Sequence, residues 1–128
     1  MITLSFLKYL EDNGFGTIDE DLFYQKLTLD KKGIYISSVG GVLSRGARRV
    51  QNFELYARGT SDVDGLRKLH EIMDFVENNF PVCTLPAVPP IHSHEYRNVT
   101  LEFTSTPQNM GLDNNDRIIY SVTGQIKY

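Results

Sequence analysis

The period of the apolar positions changes at Gly59. Upstream, Val50-Gln51-Asn52-Phe53-Glu54-Leu55-Tyr56-Ala57-Arg58 alternates, so Phe53, Leu55 and Ala57 share one face while Asn52, Glu54, Tyr56 and Arg58 take the other. Downstream of Gly59-Thr60-Ser61, Val63, Leu66, Leu69, Met73 and Val76 recur at helical spacing, with Ile72, Phe75 and Phe80 broadening the stripe. The pattern predicts a strand that feeds directly into a docked helix. Ser61 is placed to accept from the open amides of the first turn, and Asp62 and Asp64 put negative charge at the positive end of the dipole. Asn78-Asn79 and Pro81 supply the stop.

Elsewhere the same two periods assign most of the chain. Leu4, Phe6, Leu7 and Leu10 predict an amphipathic helix from Ile2 to Asn13, ended by Asn13-Gly14. Residues 14–32 are mixed, and Ile18, Leu22, Phe23 and Leu27 fit either a second short helix or an extended arm. Gly33 to Val39 reads as a strand, followed by an arm, residues 40–49, whose three arginines and three glycines favour projection into solvent or toward a partner. The segment from Pro81 to Pro90 is too rich in proline to complete a ladder and is expected as an extended linker, with a sheet edge as one placement for it. Arg97–Thr104 alternates, with Val99, Leu101 and Phe103 inward, and Arg117–Tyr128 does so with Ile118, Tyr120, Val122, Ile126 and Tyr128 inward around Gly124. The turn formers of residues 106–116 predict a second projecting loop between them. The sum is an α+β plan, a mostly antiparallel sheet of four or five strands with both helices on one face.

A length of 128 residues fits a single domain, and 41% hydrophobic with 23% charged residues is ordinary for a globular chain. No apolar run approaches the roughly 20 residues of a membrane span, and Met1-Ile2-Thr3-Leu4 does not open a signal peptide, so a cytosolic, reducing setting is expected. Cys83 is single and cannot form an internal disulfide; beside Val82 and Leu85 it reads as a small buried hydrophobe. Sixteen acidic against thirteen basic residues, net −3, oppose general binding to a polyanion.

Candidate chemistry is sparse. His92-Ser93-His94 has strand-type ligand spacing, with Cys83, His70 or Glu95 as conceivable partners, but a structural zinc site normally shows two such pairs. Glu71 and Asp74 lie one turn apart on a polar helix face, and Arg67 and Glu71 stand at i,i+4. No nucleophile elbow or phosphate loop is present; Gly40-Gly41-Val42-Leu43-Ser44 lacks the Gly-Lys-Ser/Thr ending. These readings predict neither catalysis, nor a cofactor, nor a metal. Arg45, Arg48 and Arg49 form the basic cluster of the arm and fit a solubilising tip, carboxylates on a neighbouring subunit, or phosphate.

The run Arg49-Val50-Gln51-Asn52-Phe53-Glu54-Leu55-Tyr56-Ala57-Arg58-Gly59, continuing from Ser61 through Phe75, resembles the tail terminator (tail completion, or minor capsid) proteins of long-tailed bacteriophages. In that family a strand carrying glutamine and arginine passes through a small-residue turn into an amphipathic helix. The N-terminal helix, mid-chain hairpin and closing strand pair occur in the same order. The resemblance implies a structural virion subunit, assembled in the host cytoplasm, that forms a ring, commonly a hexamer, on the last ring of the tail tube. It would end tube polymerisation and present the surface that joins the head. Its partners would be copies of itself, the tail tube protein and a head-completion or connector protein, with DNA as passing cargo and no membrane. The implied contact arms are Val42, Leu43, Arg45, Arg48 and Arg49 in one loop and Gln108, Asn109 and Met110 in the other. Another neck component, a small metal protein or enzyme built on His92, His94 and Cys83, and a DNA-binding adaptor built on the arginines are the competing readings.

Overall fold

The first helix, α1 (Ile2–Asp12), is buried on every side over its first two turns: Ile2, Thr3, Leu4, Ser5, Phe6 and Leu7 are all inaccessible or nearly so. Apolar spacing explains Leu4, Phe6, Leu7 and Leu10. It does not explain Thr3 and Ser5, whose burial requires the sheet to come round the helix. The computed structural model describes residues 2–25, 32–42, 48–59, 63–79, 82–112 and 117–128, with only the backbone at 42. The remaining elements are β1 (Leu22–Tyr24), β2 (Gly33–Val42), β3 (Val50–Arg58), α2 (Asp64–Asn78), β4 (Cys83–Leu85), β5 (Tyr96–Phe103), β6 (Gln108–Leu112) and β7 (Ile118–Lys127).

The fold is α+β, with two helices on one mixed sheet ordered β1-β2-β3-β7-β5-β4, and β6 also pairs with β7. The expected four or five antiparallel strands become seven, because β1 and β4 join the edges and β6 pairs with β7 beyond β5. β1 lies parallel to β2 at Leu22↔Ile34 to Tyr24↔Ile36, so in the ambiguous 14–32 region Leu22–Tyr24 is extended, after a turn in which the Asp21 and Leu22 amides donate to the Thr17 carbonyl. β4 pairs with β5, as expected of a proline-flanked edge. Helix α1 packs against β1 and β4, the two ends of that order, as well as β2 and β3 between them, so the sheet curls around it.

The strand reading of residues 50–58 holds in register and in facing. Phe53, Leu55 and Ala57 are buried beneath the helices, opposite Gly124, Val122 and Tyr120 of β7. The ring of Phe53 fills the space that a side chain at residue 124 would occupy, and it meets Phe6 at 5.3 Å and Phe103 at 5.9 Å between centroids. Helix α2 buries Leu69, Ile72 and Val76 on the sheet, and Phe75 touches Tyr9 and Phe15, which ties the two helices together on that face. Ser61, Asp62 and Phe80 lie outside the described residues. The described cap of α2 is Val63, which makes no side-chain capping bond, and at the far end the Asn79 amide side chain donates to the Phe75 carbonyl at 2.7 Å.

The predicted loop at 106–116 is corrected. Five steps from Phe103 to Gln108 match three from Gly124 to Ser121 on β7, so β5 and β6 are one strand with two residues looped out between them. The splice is held by the Thr104 amide donating to the Thr123 carbonyl at 2.9 Å and the Thr123 amide donating to Ser105 Oγ at 3.0 Å. Only residues 113–117 remain between β6 and β7, of which 113–116 lie outside the described set. The predicted arm from residue 40 also starts later, since β2 continues through a bulge to Val42, opposite Val50.

Two outcomes follow from this packing. Phe6→Ala empties the centre of the core and should cost about 3–5 kcal/mol in urea unfolding. Glu11, bonded to Lys8 Nζ at 2.6 Å and accepting from the Ile18 amide at 2.7 Å, has its carboxyl held below the usual value, first by Lys8 and then by that amide. A depressed value adds stability that is complete above the unfolded carboxylate range and fades as pH falls through the folded one. Glu11→Gln should therefore lie slightly below wild type at neutral pH, by less than about 1 kcal/mol for so accessible a pair, and converge with it in acid titrations of stability.

Candidate interaction surface at the two ends of the sheet

The curl closes on three hydroxyl and imidazole contacts. Thr3 Oγ1 lies 2.9 Å from Ser38 Oγ of β2 and 3.4 Å from the Tyr24 hydroxyl of β1. Ser5 Oγ lies 2.8 Å from His92 Nε2, beyond β4. His92 Nδ1 lies 3.0 Å from the His94 carbonyl, which only accepts, so Nδ1 carries the proton and a neutral ring takes the Ser5 proton at Nε2. His92 is thereby committed through both nitrogens to holding a loop against α1. Its ring and that of His94 also pack on Tyr96, whose ring meets Tyr128 at 5.5 Å.

The other chemical features stay apart. Among the described residues no three His, Cys, Asp or Glu side chains gather to hold a metal ion. Cys83 is half-buried and burial pushes its thiol up, so less of it is thiolate at neutral pH. His70 is exposed on α2. One depression of about 200 Å³ is lined by Phe15, Ile34, Lys68 and Ile72 among others, and another of about 280 Å³ by Glu77, Leu101, Glu102 and Phe103. Neither sets a nucleophile beside a base.

Exposed side chains stand instead on β2, on β6 and at the approach to β3. Among the predicted arm residues, Arg48 and Arg49 are exposed but seated: Arg48 donates to Thr100 Oγ1 at 3.0 Å, and the Arg49 backbone exchanges bonds of 2.7 and 2.9 Å with Tyr128. Arg45 and Leu43 lie outside the described residues, and Val42 is the last residue of β2. Gln108, Asn109 and Met110 belong to β6 rather than to a loop, and all five residues of that strand are exposed. Sequence reasoning missed Leu112 and Val39, which stand 64% and 47% exposed at the outer ends of β6 and β2. Alternation was the available signal, but 106–116 was read as a loop. It also missed the stacked pair Tyr35–Tyr56, 4.5 Å apart and 5° from parallel on the outer face, because a cross-strand partner depends on register.

Both outer ends are bulged. Gly40, at φ 90°, accompanies the shift between Ser38 and Gly41, and Gly111, at φ 100°, accompanies that between Asn109 and Leu112. The Gly40 carbonyl accepts from Gln51 Nε2, and the Gly111 amide donates to its own neighbour's side chain, Asn109 Oδ1, at 2.8 Å.

His92→Ala should cost about 1–3 kcal/mol in chemical denaturation because it strands the buried Ser5 hydroxyl, and adding Ser5→Ala should recover part of that loss. No protein-family model and no curated protein matches this chain.

Proposed function

We propose that this chain is a ring-forming structural subunit that caps the tail tube of a long-tailed bacteriophage, stopping tube growth and offering the surface to which the head joins. The carrying observation is that side chains stand exposed along edge strands, all five residues of β6 among them, around a core filled by both helices. Such a plan supports heterologous contacts, one surface of each copy meeting a different surface of the next, and these close into a ring when the rotation closes. The order of elements, helix, hairpin, helix and closing strands, is also the order on which the family resemblance rests. Its site of action would be the head-proximal end of the tail, and its partners copies of itself, the tube protein and a head-completion or connector protein. DNA would pass as cargo, and the net charge of −3 suits a passage that does not retain it.

Electron microscopy of tube protein polymerising with and without this chain tests the proposal. The expected result is tubes that stop growing and carry a ring at one end, and unchanged tube lengths would defeat it. Deleting residues 42–47 should leave a folded subunit, by circular dichroism, that no longer caps.

A further inference from the structure

We infer that Asn13 is a site of spontaneous deamidation that the cap of α1 holds shut, and that the modification, once made, loosens the tie between the two helices. This goes beyond the functional reading above and does not depend on it.

Asn13-Gly14 is the one Asn-Gly pair in the chain. A glycine after asparagine leaves its backbone nitrogen unhindered, and once that nitrogen loses its proton it can attack the asparagine Cγ. A new C–N bond closes a succinimide ring, the Cγ–Nδ2 bond breaks, and ammonia leaves. Water then opens the ring on either side, giving aspartate or isoaspartate. No reagent other than water is needed, and both residues are exposed to it.

In the fold both reacting groups are engaged. Gly14, at φ 85°, follows the last residue of the α1 cap. Its amide donates to the Glu11 carbonyl at 3.1 Å, and the Phe15 amide donates to the Leu10 carbonyl at 3.1 Å, the paired bonds of a Schellman cap. The proton that must leave the Gly14 nitrogen is therefore held by Glu11. The Asn13 side chain is turned back along the helix, its Nδ2 donating to the Tyr9 carbonyl at 2.7 Å. Closing the ring requires both bonds to break, so the reaction runs through molecules in which the end of α1 has opened. Phe15 restrains that opening, because its ring packs on Phe75 of α2 at 5.1 Å between centroids.

The products cannot rebuild the cap. Aspartate has no amide hydrogen for the Tyr9 carbonyl, and it adds negative charge beside Glu11 and Asp12 at the negative end of a helix whose last turn carries no base. Isoaspartate routes the main chain through the former side chain, one atom longer, and shifts the amides of residues 14 and 15 away from the carbonyls they meet. Phe15 then loses the anchor that sets it against Phe75.

Wild type kept in mildly alkaline buffer, native or in urea, then digested and weighed by mass spectrometry, should gain about one mass unit at Asn13, at least about tenfold faster in urea. Phe15→Ala, and Phe75→Ala from the other side of the same ring contact, each checked as folded by circular dichroism, should speed the native reaction toward the rate in urea. Asn13→Asp should lower the folding equilibrium constant by about fivefold in chemical denaturation. Equal rates for wild type in the two conditions would overturn the inference, as would an Asn13 that stays unchanged even in urea. A folded Phe15→Ala or Phe75→Ala protein reacting at the wild-type rate would remove the gate, and an Asn13→Asp protein as stable as wild type would remove the consequence.

Discussion

A helix surrounded by a sheet must satisfy its polar side chains within that enclosure, and this requirement organises the rest of the molecule. Thr3 and Ser5 occupy the first turns of α1, where no water reaches them. An unpaired hydroxyl there would cost more than its hydrogen bond gains, so each needs a partner delivered by the sheet. Ser38 and Tyr24 come from one end of the strand order and His92 from the loop that follows its other end. The two ends are thus tied to one helix, which gives the sheet its curl and fixes where its free edges point.

That arrangement separates two kinds of surface. The concave side is filled by the rings of Phe6, Phe53 and Phe103 and by the aliphatic rows of both helices. On the outer side, Tyr35 and Tyr56 stack, and the Tyr56 hydroxyl bonds Glu54 on the same strand. Burial raises the Tyr35 phenol above its ordinary value, consistent with a ring packed flat on its neighbour. Val39, Met110 and Leu112, three of the six large hydrophobic residues exposed among the described ones, stand on β2 and β6, and for that reason the functional reading concentrates on edges.

Much of this was legible from alternation and helical spacing. Residues 50–58, the α2 stripe at Leu69, Ile72 and Val76 and the facing of β7 were readable because each buries one side against a single neighbour, the situation a period of two or 3.6 encodes, whereas Val63, read into the stripe, is 56% exposed. Gly124 was readable as a gap but not as room for Phe53. The amphipathic reading of α1 was incomplete, since a helix enclosed on all sides keeps polar residues for reasons that lie in distant loops; nothing near Ser5 points to His92, 87 positions away. β1 and β4 are three residues each, too short for any period to show. β6 was hidden by its composition, because Pro107, Asn109 and Gly111 are turn formers that here accompany a splice and a bulge. Arg48 and Arg49 were correctly seen as exposed, yet they are seated against the sheet, bound to Thr100 and Tyr128.

The splice at residues 104–107 has a consequence for how this architecture can vary. Because Phe103↔Gly124 fixes the inner half and Gln108↔Ser121 the outer half separately, the outer half can be resized without moving the helices. Side chains alternate strictly across a pleat, so adding or removing residues in twos on both arms preserves which groups look up and which look down, whereas a single insertion inverts them all. Reach could therefore change in steps of about 7 Å per pair of residues while the enclosed helix stays undisturbed, a ruler with fixed graduations.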